Sequence, residues 1–167
     1  YKDAIPEPNE GEEIDENCRI YYSPATWVYM PEEIGTTTFG TAKLVDIDFV
    51  NNQGVLIFDR PVTSIPDTAF ASYTISSVTI PNSVKNIGDK AFYHCTHLTS
   101  INIPDSVKSI GNDVFYDCSS LKSITLPYSI TSIGERTFSN CSSLESIALP
   151  NSITSIGHSA FSNLAPL

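Results

Sequence analysis

Leu98-Thr-Ser-Ile-Asn-Ile-Pro-Asp-Ser-Val-Lys-Ser-Ile-Gly-Asn-Asp-Val-Phe-Tyr-Asp-Cys-Ser-Ser120 is one turn of a pattern that runs without a gap from Ile75 to the end of the chain. The same 23-residue unit begins at Ile75, Leu98, Leu121 and Leu144, and its columns recur each time. Pro81, Pro104, Pro127 and Pro150 form one column, Gly88, Gly111, Gly134 and Gly157 a second, and Phe92, Phe115, Phe138 and Phe161 a third. A fixed period of this length marks a solenoid, in which each unit buries its apolar side only by stacking on its neighbours. Such a chain is mainly a surface for holding something.

Within the unit, Ser100-Ile-Asn-Ile-Pro104 alternates polar and apolar positions, which suits a short strand with one buried face that proline ends. Ile101 and Ile103 are expected to point inward, and Ser100 and Asn102 outward. Stacked copies predict a parallel sheet with strands about 4.8 Å apart. Val107-x-x-Ile110-Gly supplies a second extended piece, with Gly111 expected in a backbone conformation awkward for other residues. Val114-Phe115-x-x-Cys118 is expected to form a single short helical or 3-10 turn that drops Phe and Cys into the core.

Upstream, a shorter degenerate copy carries Phe58, Val62, Ile65 and Ala69-Phe70 where later copies have Ile80, Val84, Ile87 and Ala91-Phe92. It departs from the pattern with Pro66 in place of Gly and Tyr73 in place of Cys. Before it, Lys43 to Val50 and Val55 to Asp59 flank Asn51-Asn-Gln-Gly54, a hairpin signal. Arg19 to Tyr22 and Trp27 to Met30 read as further strand-like pieces. The expected organisation is an acidic tether over 1–17 and a β-rich cap over 18–58 merging into the repeats over 53–167. The repeats divide as 53–74 (degenerate), 75–97, 98–120, 121–143 and 144–167. No cap is visible at the other end, where Leu167 stands at a unit start, and an open edge there invites self-association.

The unit resembles the leucine-rich repeat of the BspA-like, or Treponema-type, class, down to its Ile-Pro-x-Ser-Val, Ile-Gly and Ala-Phe-x-x-Cys steps. The segment Ile20-Tyr-Tyr-Ser through Phe39-Gly, Val55-Leu-Ile-Phe58 and Val62-Thr-Ser-Ile65 also resembles the entry segment before such repeats in surface proteins of gut and oral anaerobic bacteria. The resemblance implies an α/β fold that is strand-dominated, a right-handed leucine-rich-repeat solenoid with short helical or 3-10 turns behind a β-hairpin cap. It implies attachment to host proteins, other microbes or surfaces, without catalysis. Localisation would be extracellular or at the cell surface, as an outer-membrane lipoprotein or a secreted protein.

The chain of 167 residues has a net charge of -10, unevenly spread. Residues 1–16 hold seven acids against Lys2, leaving -4 for the rest. With Pro6, Pro8 and Gly11 interspersed, that opening has too little apolar content to fold alone. No basic stripe exists to neutralise phosphates, so nucleic acid is not the expected partner. No apolar run approaches the roughly 18 to 20 residues of a membrane span.

Chemistry-bearing residues have bland explanations. Cys95, Cys118 and Cys141 lie 23 apart with Leu164 in the fourth place. They read as a column of buried free thiols, since a metal site wants tight spacing and convergence. Cys18 stands outside the column. One period puts His94 beside Asp117 and Glu135 beside His158, while Lys90, Asp113 and Arg136 fall in one column. Alternating charge along a stack explains these without catalysis or metal. There is no Gly-x-Ser-x-Gly turn and no phosphate loop. No enzyme, metal or cofactor is therefore expected.

The candidate binding residues are the outward strand positions Ser100, Asn102, Ser123 and Thr125, flanked by Ser77, Thr79, Ser146 and Ala148, together with the Tyr93 and Tyr116 column. Ser139 and Ser162 follow the tyrosines in that column, which predicts exposure. An extracellular or host protein is the expected partner, since Tyr, Trp and Arg anchor protein interfaces. A glycan held by cap aromatics such as Trp27, and a structural spacer, remain as alternatives.

Overall fold

The computed structural model describes residues 15–24, 39–50 and 53–164. Most of the acidic opening and the Trp27 to Met30 piece, including Trp27 and Tyr29, lie outside the described residues. Each repeat forms one three-sided rung. Its first side is a strand, β5 (Ile75–Thr79), β7 (Ser100–Asn102), β9 (Ser123–Thr125) or β11 (Ser146–Ala148). These pair in parallel with no slip, so that Ser77, Ser100, Ser123 and Ser146 share one row and Thr79, Asn102, Thr125 and Ala148 the next. The second side is a two-residue strand: β4 (Ser64–Ile65), β6 (Asn86–Ile87), β8 (Ser109–Ile110), β10 (Ser132–Ile133) or β12 (Ser155–Ile156).

The cap adds to the same sheet. Strands β1 (Arg19–Pro24), β2 (Leu44–Val50) and β3 (Gln53–Phe58) complete seven strands in the order β11-β9-β7-β5-β1-β3-β2. β2 and β3 pair antiparallel, as the hairpin signal predicts, with Val50 opposite Gln53. β1 runs antiparallel to both β3 and β5. A 3-10 turn at Glu16–Cys18 precedes β1, with Asp15 Oδ1 accepting from the Asn17 amide at 2.9 Å. Val62 N donates to Asn17 O, so the chain is already fastened to the first rung at Asn17.

The third side departs from expectation. The stretch typified by Val114 to Cys118 forms consecutive tight turns in place of a helical or 3-10 turn. Two residues in each rung have positive φ, Lys90 and His94, Asp113 and Asp117, Arg136 and Asn140 among them. That conformation costs of order 1–3 kcal/mol at a non-glycine residue. It turns alternate amides out of the rung: Asp113, Phe115 and Asp117 N–H donate to the carbonyls of Glu135, Thr137 and Ser139 in the next rung. Three such bonds cross each junction from Thr68 to Ser162. A helix would have spent those donors within its own rung.

The glycine column likewise has a different cause from the one its sequence suggests. None of Gly88, Gly111, Gly134 and Gly157 has positive φ. At Gly134 a β-carbon would lie 2.4 Å from Gly111 O and 2.8 Å from Gly111 C, so close backbone approach between rungs excludes any side chain.

Inside the coil the phenylalanines form a ladder. Phe70, Phe92, Phe115, Phe138 and Phe161 stack with centroids 5.2 to 5.5 Å apart and planes within 11° of parallel. Phe39 closes the cap end, edge-on to Phe70 at 6.3 Å and 4.8 Å from Phe58. Isoleucine, valine and leucine columns fill the space between this ladder and the two strand faces. Polar ladders run beside it: Ser83, Ser106 and Ser152 hydroxyls donate to the carbonyls of Val62, Val84 and Ile130 in the preceding rung, and Ser129 does the same to Val107. Asp67, Asp89 and Asn112 side-chain oxygens accept from the amides of Asp89, Asn112 and Glu135. Repetition therefore satisfies polar groups as well as burying apolar ones.

Candidate binding surfaces on the repeat stack

Alternation along β7 and β9 turns Ile101 and Ile124 inward and leaves Ser100, Asn102, Ser123 and Thr125 exposed, side by side on adjacent strands. The outward rows carry small, neutral side chains through the repeats. At its cap end Tyr21 stands opposite Thr79, so an aromatic side chain joins the strand face there. Tyr22, one residue on, is buried. The signal available in the sequence was the alternation of β1 itself, but only pairing with β5 shows which face each tyrosine takes.

Tyr93 and Tyr116 lie on the turn side of the coil. They stack at 5.1 Å with planes 11° apart and are half-buried rather than fully exposed, because each covers its neighbour. His94 packs edge-on against both rings, at 4.3 and 5.8 Å. Its Nδ1 lies 2.7 Å from Asp117 Oδ2, the neighbour that one period predicts. Lys90 Nζ sits 5.8 Å from the Tyr93 centroid, within cation–π range. On the next rungs Arg136 meets Asp113 through two parallel bonds of 2.8 and 2.9 Å, and Ser139 shares a 2.7 Å hydroxyl bond with Ser162. The Asp113 side chain is buried, and the guanidinium beside it is held further above its usual range by that bond. Glu135 and His158, also one period apart, form no ion pair.

The thiol column is a packing device. Cys95, Cys118 and Cys141 are buried and unbridged, and their Sγ atoms donate to the carbonyls of Phe70, Phe92 and Phe115 at 3.0 to 3.2 Å. Burial pushes the Cys95 and Cys141 thiols up to about 12 and raises Cys118 as well. A neutral thiol is a poor nucleophile and a poor metal ligand. Among the described residues no group of three or more His, Cys, Asp or Glu side chains is placed to hold a metal ion. No helix among them is long and apolar enough to cross a membrane.

Stacked rungs of this length and composition have a counterpart among known families: the model of the BspA type leucine rich repeat region matches residues 63–167 in six copies. The chain belongs to the BspA-type leucine-rich-repeat family. Its structure is similar to the crystal structure of a leucine-rich-repeat protein from T. pallidum, at 39% identity and a TM-score of 0.61 over 63% of this chain and 50% of that one. It is also similar to one from Bacteroides ovatus, at 35% identity and a TM-score of 0.58 over 72% of this chain and 32% of that one. The chain thus spans about half the length of the first and a third of the second. No curated protein matches it. The described residues form a strand-dominated BspA-type solenoid with almost no helix.

Proposed function

We propose that this chain is a non-enzymatic adhesion module, displayed at a cell surface or secreted, that holds an extracellular protein. The observation that carries this is the Tyr93–Tyr116 pair: two stacked, half-buried rings flanked by Lys90 and His94, with Arg136 one rung on. Tyrosine and arginine dominate the energetics of protein interfaces. Here stacking fixes the rings before any partner arrives, which lowers the ordering cost of binding. The outward strand positions Ser100, Asn102, Ser123 and Thr125 supply the second surface, suited to hydrogen bonding rather than to anchoring.

The test is binding of the purified chain to an array of extracellular host proteins and glycans, followed by Tyr93→Ser with Tyr116→Ser. Serine is the replacement of choice because Ser139 and Ser162 occupy the same column, so the rung accepts it. Loss of about 2 kcal/mol, or thirtyfold in affinity for a captured protein, is the expected result. Undiminished affinity in a folded double variant would remove the tyrosines from the interface, and capture of glycans alone would replace the protein reading with the carbohydrate one.

A further inference from the structure

The strand face changes character where the repeats meet the cap. Arg19, Tyr21, Asp48, Val55 and Ile57 line an open pocket of about 110 Å³ there. Register explains the assembly. Asp48, Val55 and Tyr21 lie in one row across β2, β3 and β1, and the row continues through Thr79, Asn102 and Thr125 to Ala148. Arg19 and Ile57 pair in the adjoining row. Leu56 and Phe58 of β3 belong to the core inside the coil, whereas Val55 and Ile57, alternating with them, do not. Val55 is nevertheless 3% exposed. A face that is small and polar along the repeats therefore acquires an apolar floor at the cap, rimmed by a guanidinium, a carboxylate and a phenol.

The rim groups limit the ligand. Arg19 Nη1 donates to Tyr21 Oη at 3.3 Å, and the Tyr21 hydroxyl donates to Glu16 Oε2 at 3.0 Å. Glu16 Oε1 lies 3.5 Å from Arg19 Nη1. The Arg19 Nε–H is buried and meets no acceptor. Guanidinium only donates and carboxylate only accepts. An anionic ligand would gain Arg19 but face Glu16 and Asp48, and a simple cation would face Arg19. A neutral ligand carrying both donors and acceptors on one edge and C–H groups on the other suits each of these described groups, and hydroxylated rings have that chemistry. The size agrees, because the space suits one ring rather than a drug-sized molecule. The neutral hydroxyl and amide row beyond Tyr21 offers continuing contacts to a chain.

We propose that this cap pocket is a subsite for one pyranose unit of a neutral glycan. The unit's C–H face lies on Val55, Ile57 and the Tyr21 ring, one hydroxyl oxygen accepts from the Arg19 guanidinium, and another hydroxyl donates to Asp48. The site is separate from the Tyr93–Tyr116 pair and stands or falls independently of it.

The test uses the whole chain, titrated with the methyl glycosides of glucose, galactose and mannose while backbone amide resonances are followed. Sodium acetate is the anionic control. A saturable shift confined to β1, β2 and β3, with a dissociation constant on the order of 1 mM, is the expected result for at least one glycoside. Arg19→Met should weaken it tenfold or more, a loss of about 1.4 kcal/mol. Asp48→Asn, on an edge strand, serves as a second variant should the first fail to fold, and should weaken it measurably. Tyr93→Ser with Tyr116→Ser should leave it unchanged. The proposal is overturned if no glycoside gives saturable shifts, if the shifts fall outside the three cap strands, if acetate binds the same amides as tightly, or if folded Arg19→Met or Asp48→Asn binds at full strength.

Discussion

Replacing Gly134 with alanine separates two accounts of the glycine column by the sign of the effect. Gly134 lacks positive φ. Backbone conformation therefore allows alanine, and on that ground alone the substitution should stabilise by roughly 0.4–1 kcal/mol through the unfolded chain. Against this stands the new methyl group, 2.4 Å from Gly111 O, 2.8 Å from Gly111 C and 2.9 Å from Asn112 Oδ1. Ordinary contact begins near 3.4 Å, so two rungs must part by about 1 Å at a point where the two nearest atoms are backbone. Overpacking of this kind costs about 1–3 kcal/mol. Parting the rungs also stretches the 2.8 Å bond from the Glu135 amide to Asn112 Oδ1, worth about 0.5–1.5 kcal/mol more. After the entropic gain the net loss is about 0.5–4 kcal/mol. At roughly 2–4 °C per kcal/mol for a chain of this size, the thermal midpoint followed by far-ultraviolet circular dichroism should fall by about 1–16 °C. A midpoint equal to or above that of the unaltered chain would refute the close-approach account.

Phe115→Ala, which cuts the aromatic ladder at its middle rung, should cost about 3–5 kcal/mol in urea unfolding; a loss under 1 kcal/mol would mean that the rungs close over the gap. Ser106→Ala, which removes a 2.6 Å bond to Val84 O, should cost about 1 kcal/mol by the same measurement, and no loss would show that water replaces the hydroxyl. In the native state a thiol reagent should modify Cys18 rapidly and the other three only on unfolding; more than one fast equivalent would contradict the burial of the column. Those buried thiols also set a pH dependence. Their ordinary value is 9.0 and their folded value about 12 for Cys95 and Cys141, so between these limits the unfolded chain releases protons that the folded chain keeps. Stability conferred by neutral thiols is complete below pH 9 and lost as pH rises towards 12. Cys141→Leu, which copies Leu164 of the same column, should flatten that decline, and an unchanged slope would assign it to other groups.

What the sequence could show followed from how far its information is local to one period. Strand positions, the phenylalanine ladder, the thiol column and the His94–Asp117 contact are all consequences of adding 23 to a residue number. Errors arose where the neighbouring rung decides a local conformation. Val114 to Cys118 has the spacing of a short helix, but its amides are taken by Glu135, Thr137 and Ser139. Gly134 signals a permissive backbone, while its actual constraint is the carbonyl of Gly111. Tyr21 and Tyr22 are indistinguishable as letters, and only the antiparallel pairing of β1 with β5 sends one to the outer strand face and the other to the core. The cap pocket was beyond reach for the same reason, since it needs the register of three strands at once. Periodicity predicted Glu135 beside His158 as firmly as it predicted His94 beside Asp117, but proximity along the stack does not fix the direction of exposed side chains.

The turn side of the coil carries a further consequence. In ordinary strands successive peptide dipoles oppose one another, and little remains along the sheet. In these turns the amides of Asp113, Phe115 and Asp117 all face the following rung, and the same sense holds at each junction from Thr68 to Ser162. The stack therefore has a vector: any cross-section through that arc shows hydrogen-bond donors on its downstream side and acceptors on its upstream side. Each peptide contributes about 3.5 D, and aligned units add. Two such arcs can continue one another only nose to tail, because nose to nose would set donor against donor. A concatemer that respects chain direction should extend as a single ladder, whereas an inverted join has no register in which the arc can close.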